Sequence, residues 1–198
     1  MKFDITKRMV VVDDAIESTK NPRHRAILEN YRRHATLEVC GKWEEILAPD
    51  MTVPDPVYRI HNLDRFVLAE GMDAVKQIYS RMVTQRSTVI YHTEEYIMVS
   101  DQGLMSEYTS HRFWPGKNLM DALKIELPDP NAYYIVRQKL VNFFTYNDEA
   151  LLMEERVYHG ADRTIELCPP EEVITVDEAR EKLLPRLRTV ESYRYKAA

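Results

Sequence analysis

The chain reads as one α+β domain, and three observations carry that reading. Apolar residues recur at three- and four-residue spacing in the first half. Extended runs separated by turn residues fill the second, and helices ahead of strands are the α+β order. Its 198 residues leave room for one core; a chain of this size buries about 70% of its unfolded surface. With 44% hydrophobic residues and 27 basic against 32 acidic side chains, the composition is that of an ordinary globular protein. We divide it into an arm (1–20), an α+β domain (21–160) and an extension with a short helix (161–198).

In chain order, Met1 to Thr19 holds the apolar run Met9-Val10-Val11-Val12 with no clear helical period, and reads as an edge strand or an arm. Asn21-Pro22 is a helix start, a capping side chain followed by proline in the first turn. From there to Cys40 the residues Ile27, Leu28, Tyr31, Ala35 and Val39 share one face, which points Tyr31 inward. Gly41 stops this helix, and Lys42 to Ala48 supplies one or two further turns on Trp43, Ile46 and Leu47. Asp50 to Val57 is then a short strand carrying Asp55 between two prolines, and Phe66-Val67-Leu68 is the return strand of a hairpin. A second amphipathic helix follows Glu70-Gly71, on Met72, Val75, Ile78, Tyr79 and Met82.

Beyond it the period changes from helix to strand. Thr88 to Val99, Gly103 to Trp114, Tyr133 to Tyr146 and Leu151 to His159 are four strands, with Asp101-Gln102-Gly103 and Asn147-Asp148-Glu149 as turns. Gly116 to Pro130 is a long connection, read as a lid or a dimer contact. In the extension, Thr175 opens a capped helix that runs to Leu184 before Pro185, and the polar residues Arg186 to Ala198 read as loose.

Tyr31 on its helix and the stretch Asp50-Met51-Thr52-Val53-Pro54-Asp55-Pro56-Val57 together resemble the ketosteroid isomerase family. That family has a helical Tyr that hydrogen-bonds a substrate oxygen, and a strand of the form Asp-Ala-Thr-Val-Glu-Asp-Pro-Val whose second Asp shuttles the proton. The resemblance implies a curved antiparallel sheet wrapped around N-terminal helices into a cone, the SnoaL-like or nuclear transport factor 2-like fold. It implies Asp55 as general base and Tyr31 as oxyanion donor. A third family residue, a protonated Asp, falls on Asn142 of Asn142-Phe143-Phe144-Thr145-Tyr146-Asn147. An amide donates a hydrogen bond at any pH, so Asn142 can still polarise a carbonyl. His92 and His111, on the first two long strands, resemble more loosely the catalytic histidines of scytalone dehydratase. A histidine is also the side chain suited to proton transfer near neutrality. His24, His34, His61 and His159 fall near helix surfaces or turns and are not chosen. Trp114, Tyr108, Phe144 and Tyr134 are the aromatics chosen to contact substrate.

The function these residues imply is a cofactor-independent isomerase, dehydratase or cyclase acting beside a carbonyl of a small apolar molecule. The competing reading is a non-catalytic assembly or binding module, such as the β-type subunit of a ring-hydroxylating dioxygenase. A net charge of −5 without a basic stripe argues against nucleic acid as partner. No run approaches the ~20 apolar residues of a membrane span, and the first residues lack a signal-peptide core. The cytoplasm is therefore the expected location, and the resemblance implies a homodimer. Cys40 and Cys168 have neither a paired-cysteine motif nor a histidine at metal spacing, so no metal is expected.

Overall fold

A computed structural model describes residues 1–63 and 65–196. The arm is helical: a 3₁₀ turn at Ile5–Lys7, capped by the Asp4 carboxylate, leads into α1 (Val10–Ser18). Of the two readings of this segment, edge strand or arm, the helix removes the edge strand. Val12 and Ile16, four residues apart, are both buried against the helix that follows, so tertiary packing overrides the β-branched run. Asp13 adds an ion pair to Arg32 of that helix.

That helix, α2 (Pro22–Val39), is the axis of the molecule. Asn21 caps it by accepting from the N–H groups of Arg23 and His24. Its far end is a Schellman turn, in which Lys42 N–H reaches the Leu37 carbonyl and Gly41 N–H the Glu38 carbonyl. Gly41 has φ +62°, the left-handed conformation such a turn needs. α3 (Trp43–Ile46) leads into β1 (Thr52–His61), β2 (Phe66–Glu70) and α4 (Met72–Thr84). There follow β3 (Ile90–Ser100), β4 (Gly103–Pro115), α5 (Gly116–Leu123), β5 (Tyr133–Tyr146), β6 (Leu152–His159), β7 (Thr164–Leu167) and α6 (Val176–Leu183).

The strands form one open, curved sheet in the order β2-β1-β6-β5-β4-β3, with β7 pairing the first half of β5. Only β1 and β6 run parallel. The connection read as a lid or contact contains α5, whose Leu119 is fully buried. The last residues are not loose either: Val190 is buried, Arg188 pairs with Glu29 of α2, and Tyr193 Oη reaches Met51 Sδ at 3.4 Å. Ala197 and Ala198 lie outside the described residues. Among the described residues no helix is long and apolar enough to cross a membrane.

Candidate active site

Strand register decides which side chains meet inside the sheet. Along β4 the inner face takes the even positions Ser106, Tyr108, Ser110, Arg112 and Trp114; along β5 it takes Val136, Gln138, Leu140, Asn142 and Phe144. β1 contributes Tyr58 and Ile60, and β6 contributes Glu155, Val157 and His159. Pairing lays these in rows. Tyr58, Glu155 and Phe144 form one, and Ile60, Val157, Asn142 and Ser106 the next. With α2 and α4 laid across, the rows enclose a cavity of about 400 Å³.

The same period places two of the expected site residues outside the cavity. Asp55 has the parity opposite to Tyr58, so it leaves the outer face exposed and does not border the cavity. β1 also slips register against β6 between Thr52 and Val57, beside the two prolines, neither of which can donate to the ladder. His111, at an odd position of β4, meets the Phe3 ring at a tilt of 54° outside and contacts Thr93 Oγ1 through Nε2 at 2.9 Å. Tyr134 is on the inner face but sits under α5, its hydroxyl donating to the Asp129 carbonyl at 3.1 Å, and does not line the cavity. Tyr31, His92, Asn142, Trp114, Tyr108 and Phe144 do line it.

His92 is held at both ring nitrogens. Arg8, delivered by the arm and only 5% exposed, donates to its Nε2 at 3.2 Å, and Nδ1 faces Glu95 Oε1 at 3.3 Å. A guanidinium can only donate, so Nε2 accepts and the proton sits on Nδ1. Burial, and after it the Arg8 charge, pushes His92 down to about 4. A β-bulge at Glu94, φ +53°, turns Glu95 inward beside His92. Burial opposes the ionisation of Glu95, but its contacts with His92, Arg8 and Ser106 outweigh it and hold the carboxyl below its ordinary value. Tyr108 stacks on His92 with ring centroids 3.5 Å apart. His92 is thus a neutral ring in a fixed bracket, with no nitrogen free for a substrate.

A second titratable cluster escaped the sequence reading. His34, 1% exposed on α2, places Nε2 at 3.7 Å from Glu38 and 3.9 Å from Glu155, and contacts the Tyr79 hydroxyl at 2.8 Å. Tyr79 in turn meets Tyr58 at 2.9 Å. Both carboxylate distances exceed hydrogen-bond length. Burial would raise Glu38, but His34, with Arg112 and Arg8 beyond it, holds it below its ordinary value. Burial and the Glu38 charge push Glu155 well above its own. Two carboxyl groups on one histidine are therefore driven to opposite protonation states. Tyr31, Tyr58, Tyr79 and Tyr108 are raised, chiefly by burial, and remain neutral donors. The sequence signal was present: Tyr31, His34 and Glu38 fall on one helical face at spacings of three and four.

On the opposite wall the Tyr31 hydroxyl contacts Glu95 Oε1 at 3.3 Å and Ser106 Oγ at 3.5 Å. Asn142 Nδ2 donates to Tyr108 Oη at 3.2 Å, whereas the buried Asn142 Oδ1 and His34 Nδ1 have no partner among the described residues. No group of three or more metal-ligating side chains is gathered among the described residues.

Helices laid in the concave side of an open curved sheet define the SnoaL-like, nuclear transport factor 2-like fold, and this chain has it. No family model matches the chain, and no curated protein matches its sequence. Solved structures do match in shape. A protein from Jannaschia sp. CCS1, provisionally assigned as a SnoaL-like polyketide cyclase, is 14% identical and superposes with a TM-score of 0.53, covering 72% of this chain and 90% of its own. A provisionally assigned polyketide cyclase from Xanthomonas campestris pv. campestris is 14% identical, with a TM-score of 0.51 over 70% of this chain and 93% of its own. A nuclear transport factor 2-like protein from Anabaena variabilis ATCC 29413 is 13% identical, with a TM-score of 0.52 over 73% and 95%. At these identities the likeness is one of fold.

Proposed function

We propose that the chain is a cofactor-independent enzyme that moves a proton beside a carbonyl of a small, largely apolar substrate, in the manner of an isomerase, dehydratase or cyclase. The observation that carries this reading is the pair Glu38 and Glu155, facing one enclosed cavity from either side of His34 and biased to opposite protonation states. Two carboxyls pushed apart in this way are a ready base and acid. Glu38 removes the proton next to the carbonyl, Tyr31 and Asn142 donate to the enolate oxygen, and Glu155 returns a proton to carbon or to a departing hydroxyl. His34, beside Glu38, helps keep that carboxyl ionised, and proton exchange with solvent resets the pair. Asp55, which faces away, takes no part.

For the assembly we propose a second copy of the chain paired through the outer sheet face. Tyr96, Met98, Phe143 and Tyr158 are exposed there, and Phe143 and Tyr158 meet edge to face at 6.1 Å. The test of the chemistry is deuterium incorporation from heavy water, followed by NMR, into a panel of cyclic β,γ-unsaturated and 1,3-dicarbonyl ketones. Wild type should catalyse exchange, and Glu38→Gln and His34→Gln should lower its rate at least ~100-fold. Exchange at the wild-type rate in Glu38→Gln, or none with any ketone in wild type, defeats the proposal.

A further inference from the structure

The proposed chemistry uses one end of the cavity. The other end carries a charge that the chemistry leaves unexplained. Although the chain as a whole has a net charge of −5, five arginines border this cavity against three acids, and one of those acids, Glu155, is pushed toward its neutral form. Arg8 is committed to His92. The other four come from separate elements: Arg65 from the β1–β2 hairpin, Arg81 from α4, Arg112 from β4 and Arg163 from the segment before β7.

Arg112 differs from the rest. Arg65 and Arg81 are exposed at the rim, whereas Arg112 lies on the inner face, its guanidinium 5.7 Å from the centre of the Trp114 ring. Its cross-strand neighbours, Ile90 and Val136, are apolar. Among the described residues no carboxylate forms an ion pair with it and no acceptor takes its N–H groups. Glu38 is near enough to feel its charge but is engaged with His34. Half-buried at the cavity wall, this guanidinium keeps its donors free for a ligand, and its planar fork matches a carboxylate in two parallel hydrogen bonds. His159 records the same local field: it is pushed down to about 4 by burial first, and then by Arg112, Arg163 and Arg65 together.

We infer that the substrate is a carboxylic acid, its carboxylate docked on Arg112 with the rim arginines drawing it in, and its apolar body directed between α2 and α4 toward Glu38 and Glu155. The inference rests on the cavity being the substrate site and adds the substrate class. Arg112, on the inner face of β4 beside the Trp114 ring, is the guanidinium placed to take one carboxylate. A carboxylate is met in plane by the two parallel donors of this one fork, the arrangement that distinguishes it here from a phosphate.

Calorimetric titration with 2-naphthoate, 2-naphthamide and 2-naphthyl phosphate, against wild type, Arg112→Met and Arg112→Lys, tests it. Naphthoate should bind wild type at least tenfold more tightly than naphthamide. Arg112→Met should abolish that preference, and a cooperative urea unfolding curve like that of wild type shows that the variant is folded. Arg112→Lys should keep only part of it, because an ammonium cannot reproduce the fork. Equal affinity for acid and amide, a preference that survives in Arg112→Met, tighter binding of the phosphate, or no binding of any of the three overturns the inference. A carboxylate preference without any proton exchange leaves the inference standing and removes the proposed chemistry. Exchange without the preference does the reverse.

Discussion

Replacing Glu155 by glutamine separates the acid's protonation state from its packing. The side chain is nine-tenths buried, and its carboxyl is pushed well above the ordinary 4.5 by burial and by Glu38. The sign follows from linkage. Below 4.5 both folded and unfolded chains hold the proton and Glu155 adds no pH dependence. Above it the unfolded chain ionises while the folded one does not, so wild type loses stability with rising pH, by about 1.4 kcal/mol per pH unit for as long as the folded carboxyl keeps its proton. Glutamine is neutral in both states and lacks that slope. The stability of Glu155→Gln relative to wild type should therefore climb by about 1.4 kcal/mol per pH unit above pH 5. In urea this is about half a molar in midpoint per pH unit, for a slope of roughly 2–3 kcal/mol per molar. Other titrating groups largely cancel between the two proteins. The assay is urea unfolding of both at pH 5, 6 and 7. Parallel curves, or a variant that loses ground as pH rises, would mean that Glu155 is ionised in the fold, and the division of labour with Glu38 would fall. The same variant should lower proton exchange by a factor of about 100 to 10,000.

Asp55→Asn should change unfolding stability by less than about 0.5 kcal/mol, as for other exposed sites, and leave deuterium exchange at the wild-type rate; a collapse of exchange would return the base to β1. Ile16→Ala removes a buried side chain between α1 and α2 and should cost about 2–5 kcal/mol in urea unfolding. A cost under ~1 kcal/mol would mean that α1 can leave the core without consequence.

The fold was legible where local chemistry and tertiary packing agree. Asn21-Pro22 and Gly41 bracket α2 because capping and left-handed geometry are local requirements, and the strands from Ile90 to His159 follow from their periodicity. The arm was illegible for the opposite reason. Met9 to Val12 has the residues of a strand, and it is helical because Val12 and Ile16 are buried against α2, a surface no local pattern announces. The tail follows the same logic. Arg188 and Tyr193 are polar and look solvated in the sequence, but their partners, Glu29 and Met51, lie more than a hundred residues away.

A resemblance can carry a fold while its matched residues fall on different faces of the strands. Matching eight residues around Asp55 aligned a motif, yet a strand assigns its side chains to faces by parity, and one residue of slip moves a carboxylate from cavity to solvent. Tyr58, three residues on, faces in and Asp55 faces out. The carboxyl that does stand beside Tyr58 is its register partner on β6, Glu155. Helix α2 supplies its counterpart from Tyr31, His34 and Glu38, a face whose helical spacing was visible but whose polar members looked like surface residues because the cavity they line is closed by strands far along the chain. Polar residues on a helix's apolar face are costly to bury without a partner. Here Glu38, the one partner of His34 that belongs to the same helix, is one turn away, while Tyr79 and Glu155 come from α4 and β6. The helical repeat therefore points to a site, and only the sheet register says which acid completes it.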